Sequence, residues 1–212
     1  MIPRISRPIS VEINRIGKQV SLVEGSLENK KFVRPYPARK VAYWLTSAPN
    51  QGIYLRSDLQ KLSTLLENSK FNDKAACVLG SGLGGAAFVL KIFFNKVVGW
   101  EDDPIFLNKS LEIQTKLGEP YDKVKFYRED FLSDKADIST FPFIYFYEPF
   151  LDDFDKFMGE KLLKASKGTI IICPELTEDS LYPMVFPETS FIQHLSSCTV
   201  PKKSEFDVFE RI

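Results

Sequence analysis

Histidine is nearly absent from this 212-residue chain, which has only His194, and cysteine is scarce, with Cys77, Cys173 and Cys198. A lone histidine excludes mechanisms built on a histidine pair. Three widely spaced thiols in apolar surroundings suit neither a disulfide framework nor a zinc site, so they read as buried free thiols and no metal is expected. Net charge is missing too: 28 Lys and Arg balance 28 Asp and Glu, which leaves no overall field to draw the chain onto nucleic acid or a membrane. The balance hides an asymmetry, since residues 1–57 carry ten Lys or Arg against three Glu and the remainder is acidic by the same margin. No apolar run approaches the roughly 18 residues of a membrane span. The opening Met-Ile-Pro-Arg-Ile-Ser-Arg-Pro lacks the apolar centre of a secretory signal. The expectation is a cytoplasmic protein without a membrane partner. No internal repeat or low-complexity tract is visible.

At 44% hydrophobic content, the chain can bury one sizeable core. Ile9, Val11 and Ile13, then Val20 and Leu22, alternate with polar residues around Gly17-Lys18, which predicts a β-hairpin over residues 9–24. A short helix is expected near residues 38–46, between the turn signals Arg34-Pro35-Tyr36-Pro37 and Ala48-Pro49-Asn50-Gln51. Residues 1–57 thus read as an N-terminal extension and residues 58–212 as the main domain. Ser57 or Asp58 can cap a helix with Leu59, Leu62, Leu65 and Leu66 on one face. From residue 75 strands and helices alternate, which argues for a parallel sheet covered on both faces. Strands are expected at 76–79, 96–100, 124–127, 143–147 and 169–173. Helices are expected at 85–94 and from Pro104 to a stop at Gly118. Phe154, Phe157, Met158, Lys161, Leu162 and Ala165 trace the face of the next helix. The tail, residues 190–200 and 205–212 around Pro201-Lys202-Lys203-Ser204, leaves no room for a crossover helix and reads as an antiparallel hairpin at the end of the sheet. His194 sits mid-strand there and reads as structural. The fold class is therefore α/β: a Rossmann-like, doubly wound, mostly parallel sheet with a C-terminal antiparallel β-hairpin.

Residues 78–85, Val-Leu-Gly-Ser-Gly-Leu-Gly-Gly, fall between the first strand and its helix. Glycines there permit a tight turn and close backbone approach, and the helix N-terminus offers free N–H groups to a polar or anionic ligand. Glu101 follows about twenty residues on, a spacing suited to a ribose diol. With Asp130 after the third strand, Glu148-Pro149-Phe150 after the fourth and the terminal hairpin, the region 58–212 resembles the class I S-adenosylmethionine-dependent methyltransferases. The resemblance implies that Gly80, Ser81, Gly82 and Gly84 cradle the methionine part of the cofactor. It implies that Glu101 binds the ribose and that Asp130 meets the adenine, with Asp102 and Phe131 also counted among the cofactor-binding residues. It also implies methyl transfer at the tip of strand four, where Glu148 stands in this chain. Two positions depart from the family pattern. Val78 stands where an acidic residue is common, and the Asn/Asp-Pro-Pro-aromatic signature is reduced to Glu148-Pro149-Phe150.

Two alternatives stay open. Val78-x-Gly80-x-Gly82-x-x-Gly85 also satisfies the dinucleotide fingerprint of NAD(P) and flavin oxidoreductases, although some 75 residues precede it here. A non-catalytic cofactor-binding or partner subunit would also accommodate Val78. For methyl transfer, Glu148 is the catalytic candidate, able to accept a hydrogen bond or proton from an amine, while Tyr147, Pro149 and Phe150 would wall the acceptor pocket. Asp152, Asp153 and Asp155 either make this rim acidic, favouring a cationic acceptor such as protein lysine, or simply start a helix. Arg34, Arg39 and Lys40 interleave with Tyr36, Tyr43 and Trp44, which admits RNA as a partner or a solvated face with aromatics turned inward. Trp100 packs either on adenine or in the core.

Overall fold

Among the described residues, strands with apolar centres at Ala75–Leu79, Phe143–Phe146 and Ile170–Pro174 pair with their neighbours into one seven-stranded sheet. In the computed structural model, which describes residues 7–27, 57–67, 74–146, 160–174, 192–194 and 206–211, the strands are β1 (Ala75–Leu79), β2 (Lys96–Glu101), β3 (Lys125–Arg128), β4 (Phe143–Phe146), β5 (Ile170–Pro174), β6 (Ile192–His194) and β7 (Phe206–Arg211). Their spatial order is β3-β2-β1-β4-β5-β7-β6. Pairs β1–β2, β1–β4, β2–β3 and β4–β5 are parallel, whereas β7 runs antiparallel to both β5 and β6. The expected antiparallel hairpin, β6 with β7, therefore stands at the end of the sheet, and its reversed strand β7 lies second from the edge, between β5 and β6.

Alternation along the strands divides the core in two. Ala76 and Val78 of β1, with Phe143 and Tyr145 of β4, face helices α1 (Ile9–Glu24), α2 (Leu59–Glu67), α3 (Gly85–Phe93) and α4 (Pro104–Leu117). Cys77, Leu79, Ile144 and Phe146 face the other way, against Ala136, Ile138, Phe141, Leu162 and Ala165. Both faces are covered, as the apolar character of β1 and β4 requires. Cys77 and Cys173 are buried and form no disulfide, as expected. Asp58 caps α2, its Oδ1 accepting from Lys61 N at 3.0 Å. Helix α4 begins with Asp103 as cap and Pro104 at its first position, and it stops at Gly118. Trp100 fills space: it is buried in the second cluster, edge-on to Phe141 at 5.5 Å. The short helix expected near residues 38–46, and Phe154, Phe157 and Met158, lie outside the described residues.

The expected hairpin over residues 9–24 is wrong; this segment is the 16-residue helix α1. The alternation rests on Val11 and Leu22, which are 47% and 57% exposed, while Ile13, Ile16, Val20 and Val23 follow helical spacing and are buried. Burying four such side chains stabilises by about 1.5–3 kcal/mol each, against about 1 kcal/mol for Gly17 inside a helix, so the helical face wins.

Helix α1 lies against α2, α3 and α4. A polar cluster fastens it. Glu12, only 3% exposed, accepts from Arg15 Nη2 at 2.8 Å and from the Tyr121 hydroxyl at 2.8 Å. Arg15 Nη1 donates to Leu117 O at 2.9 Å, placing a cation on the C-terminal end of α4, where the helix dipole favours it. Its guanidinium also sits 5.3 Å from the centre of the Tyr121 ring. The buried Tyr121 phenol is pushed well above its ordinary pKa, first by burial and then by the Glu12 carboxylate that accepts its proton. Glu12→Ala would leave Arg15 and Tyr121 without their shared acceptor. The expected cost is about 2–4 kcal/mol in urea unfolding followed by circular dichroism. A change below about 0.5 kcal/mol, ordinary for a surface site, would contradict this role for α1.

Candidate functional site

Between Leu79 and α3 the chain turns through Gly80, Gly82 and Gly84 with φ of 66°, 53° and 81°, a left-handed region that glycine enters without penalty. At Gly84 space is closed as well: a Cβ there would stand 2.8 Å from Phe126 Cζ and 2.9 Å from Phe88 Cε2. Gly99 in β2 makes room for the loop, since a Cβ on it would meet Ser81 Cβ at 2.8 Å. Ser81 N donates to Trp100 O at 2.9 Å and Gly84 N to Ser81 O at 2.8 Å, so the turn is stitched to β2 and to itself.

Glu101 closes the arrangement. Its Oε2 accepts from Gly82 N at 2.6 Å and its Oε1 from Asp103 N at 3.0 Å, joining the glycine loop to the start of α4. Burial pushes the Glu101 carboxyl above its ordinary pKa; the two amide bonds pull it back, and the neighbouring Asp103 and Asp102 carboxylates push it up again. The result is a carboxylate held between donors at the carboxyl end of the sheet, where open α/β sheets bind ligands. Asp102 is exposed beside it.

The third wall follows β3. Glu129 N donates to Glu101 O at 3.2 Å. Asp130 is exposed, and its Oδ1 accepts from Leu132 N at 2.8 Å in a tight turn. That turn carries the half-buried Phe131, whose Cε1 is 3.5 Å from where a Cβ on Gly80 would stand. Gly80, Ser81, Gly82, Gly84, Glu101, Asp102, Asp130 and Phe131 are thus gathered around one rim. Tyr147, Glu148, Pro149 and Phe150 lie outside the described residues, as do Asp152, Asp153, Asp155 and the Arg34–Trp44 stretch.

Two further features bear on what the rim can hold. Ser81 Oγ is buried and finds no hydrogen-bond partner among the described residues, an uncompensated polar atom inside the loop. Val78 is 2% exposed in the helical-side core, and its register partner on β4 is Tyr145, whose hydroxyl donates to Ser57 Oγ at 2.9 Å. No carboxylate can enter at position 78 without being buried among apolar neighbours. Asp103 completes the carboxylate's shell, a role that its helix-capping pattern alone does not signal. A ligand with a diol, a planar base and a polar tail matches Glu101, the Phe131 wall and the loop respectively.

The inserted antiparallel β7 separates this fold from the dinucleotide-binding order 3-2-1-4-5-6. The chain has the fold of the class I S-adenosylmethionine-dependent methyltransferases. Among solved structures it is similar to an RNA methyltransferase from Salinibacter ruber in complex with S-adenosylhomocysteine: TM-score 0.55, 18% identity, covering 73% of this chain and 91% of that one. It is also similar to a TehB-like S-adenosylmethionine-dependent methyltransferase from Corynebacterium glutamicum, with TM-score 0.54, 13% identity, and coverage of 72% and 88%. The 16S rRNA N2 G1207 methyltransferase of Thermus thermophilus, solved with S-adenosylmethionine and guanosine, matches at TM-score 0.51 and 22% identity over 73% of this chain and 42% of that one. No protein-family model and no curated protein sequence matches the chain.

Gly84→Ala tests the loop geometry. With a positive φ and ring atoms under 3 Å from the new methyl group, the substitution is expected to destabilise by about 2 kcal/mol or more in urea unfolding. A neutral result would mean that the turn does not take this conformation.

Proposed function

We propose that this protein is an S-adenosylmethionine-dependent methyltransferase acting on an amine-type acceptor, with protein lysine as the favoured form. The observation that carries the cofactor assignment is the Glu101 carboxylate bound to Gly82 N at the mouth of the glycine loop. Glu101 and Asp102 would take the ribose hydroxyls, Asp130 and Phe131 the base. Gly80, Ser81, Gly82 and Gly84 would take the amino-acid end, where the orphaned Ser81 Oγ gains a partner. When bound, S-adenosylmethionine supplies an electrophilic methyl group. The chain's own task is to align the acceptor and exclude water, which provides most of the rate in such a displacement.

Glu148, two residues beyond β4 in the sequence, would serve the acceptor by accepting a hydrogen bond or the proton of the amine, and Tyr147, Pro149 and Phe150 would wall its pocket. Cationic acceptors are favoured by Asp152, Asp153 and Asp155, which follow closely. RNA is the second acceptor class, supported by the basic, aromatic stretch Arg34–Trp44 and by two structural neighbours named as RNA methyltransferases. Val78 supports a different second reading, a cofactor-binding subunit without turnover.

Calorimetric titration with S-adenosylmethionine, S-adenosylhomocysteine, NADH and NADPH in parallel tests the assignment. Micromolar binding of the two adenosyl ligands alone is expected; binding of a nicotinamide cofactor alone, or of none, would overturn it. Only ionised Glu101 accepts from Gly82, Asp103 and a diol together. Its raised pKa means that affinity holds above that value and falls as the pH drops through it. Once an acceptor is found, Glu148→Gln is expected to lower kcat about 100-fold with cofactor affinity retained. Unchanged turnover would remove Glu148 from the mechanism.

A further inference from the structure

Among the buried polar side chains, Lys161 is one to which the pocket assigns no ligand contact. It belongs to the helical residues 160–162, next to Leu162, which packs into the second core cluster, yet it is itself only 3% exposed. Burying an ammonium costs several kcal/mol unless specific partners repay it. Among the described residues the hydrogen-bond partner is one carbonyl: Lys161 Nζ donates to Ser133 O at 2.6 Å. Ser133 is the knot of the turn after β3. Its N donates to Asp130 O at 3.0 Å and its Oγ to Glu129 Oε1 at 2.8 Å, while Glu129 N reaches Glu101 O.

The charged surroundings fit the same task. Asp134, Asp137 and Asp130 face Lys161 from the turn, Lys164 lies beside it on its own segment, and the buried Cys77 thiol of β1 lies on the sheet side. Lys164 pairs with Asp134 at 2.7 Å in solvent. The Lys161 ammonium is pulled below its ordinary pKa, chiefly by burial and then by Lys164, with the three aspartates acting against this. An apolar side chain would fill the same volume without that cost, so packing alone does not account for a lysine here.

We infer that Lys161 is a positioning residue for the base side of the pocket: its buried ammonium fixes the Ser133 carbonyl, and so the turn that sets Asp130 on the rim and Phe131 against Gly80. Lys161 touches no ligand in this role and acts through the turn. The inference rests on the adenosyl reading of the pocket, and the test separates the two.

Affinities for S-adenosylhomocysteine and adenosine are measured by calorimetry for the wild type, Lys161→Met and Lys161→Arg, below the lowest melting midpoint of the three. Loss of one charge-assisted hydrogen bond that holds the wall predicts that Lys161→Met weakens both ligands about tenfold or more. Lys161→Arg, which keeps the charge and donors, should recover affinity to within about threefold of the wild type. A folded Lys161→Met protein that binds both ligands as the wild type does would overturn the inference, and so would an arginine variant as weak as the methionine one. If Lys161→Met does not fold, Lys161→Gln takes its place; the same weakening is expected, and unchanged affinity would again overturn the inference. A wild type that binds neither ligand would instead remove the adenosyl reading, and the inference with it.

Discussion

The bond from Gly82 N to Glu101 is the constraint on which the site depends. A backbone amide in a left-handed glycine turn has few ways to be satisfied, and a carboxylate held at the end of a strand is costly to bury. Each meets the other's requirement. Because Glu101 also accepts from Asp103 N, and its own carbonyl accepts from Glu129 N, one residue registers the glycine loop, the start of α4 and the segment after β3. The bond also leaves Glu101 poised: burial keeps its proton affinity high, so its ionised state is sustained by donors that a bound diol would supplement.

The helices stand behind this arrangement. A Cβ on Gly85, the first residue of α3, would meet Leu59 Cδ2 at 3.3 Å and Val20 Cγ2 at 3.6 Å, so α1 and α2 converge where the loop becomes a helix. The N-terminal helix is thereby part of the support for the site rather than an appendage. Its Glu12–Arg15–Tyr121 cluster anchors it at the far end of α4. On the other face Lys161 does for the turn after β3 what Glu101 does for the glycine loop, using a cation and a carbonyl in place of a carboxylate and an amide.

Much of this is legible in the sequence because the signals are local. Glycines at 80, 82 and 85 announce a tight turn leading into a helix, Asp103-Pro104 announces a helix start, and Gly118 a stop. Pro201-Lys202-Lys203-Ser204 reads as a turn between two strands, and β6 and β7 do pair antiparallel. The insertion of β7 between β5 and β6 has no such signal, because strand order is decided by packing far along the chain. Residues 9–24 carry two periodicities at once, and the choice between them is made by the face that α2, α3 and α4 offer, which no local pattern reports. In the sequence Lys161 is visible only as an oddity on an apolar helix face. Its partner, Ser133, is 28 residues away along the chain.

Amide chemical shifts of the isotopically labelled protein, followed as S-adenosylhomocysteine is added, test the site most directly. The Gly82, Asp103 and Phe131 amides are predicted to move first and most, while those of β6 and α1 stay close to their positions. Shifts centred on the opposite, amino-terminal ends of the strands, or none at saturating ligand, would contradict a site built on Gly82 and Glu101.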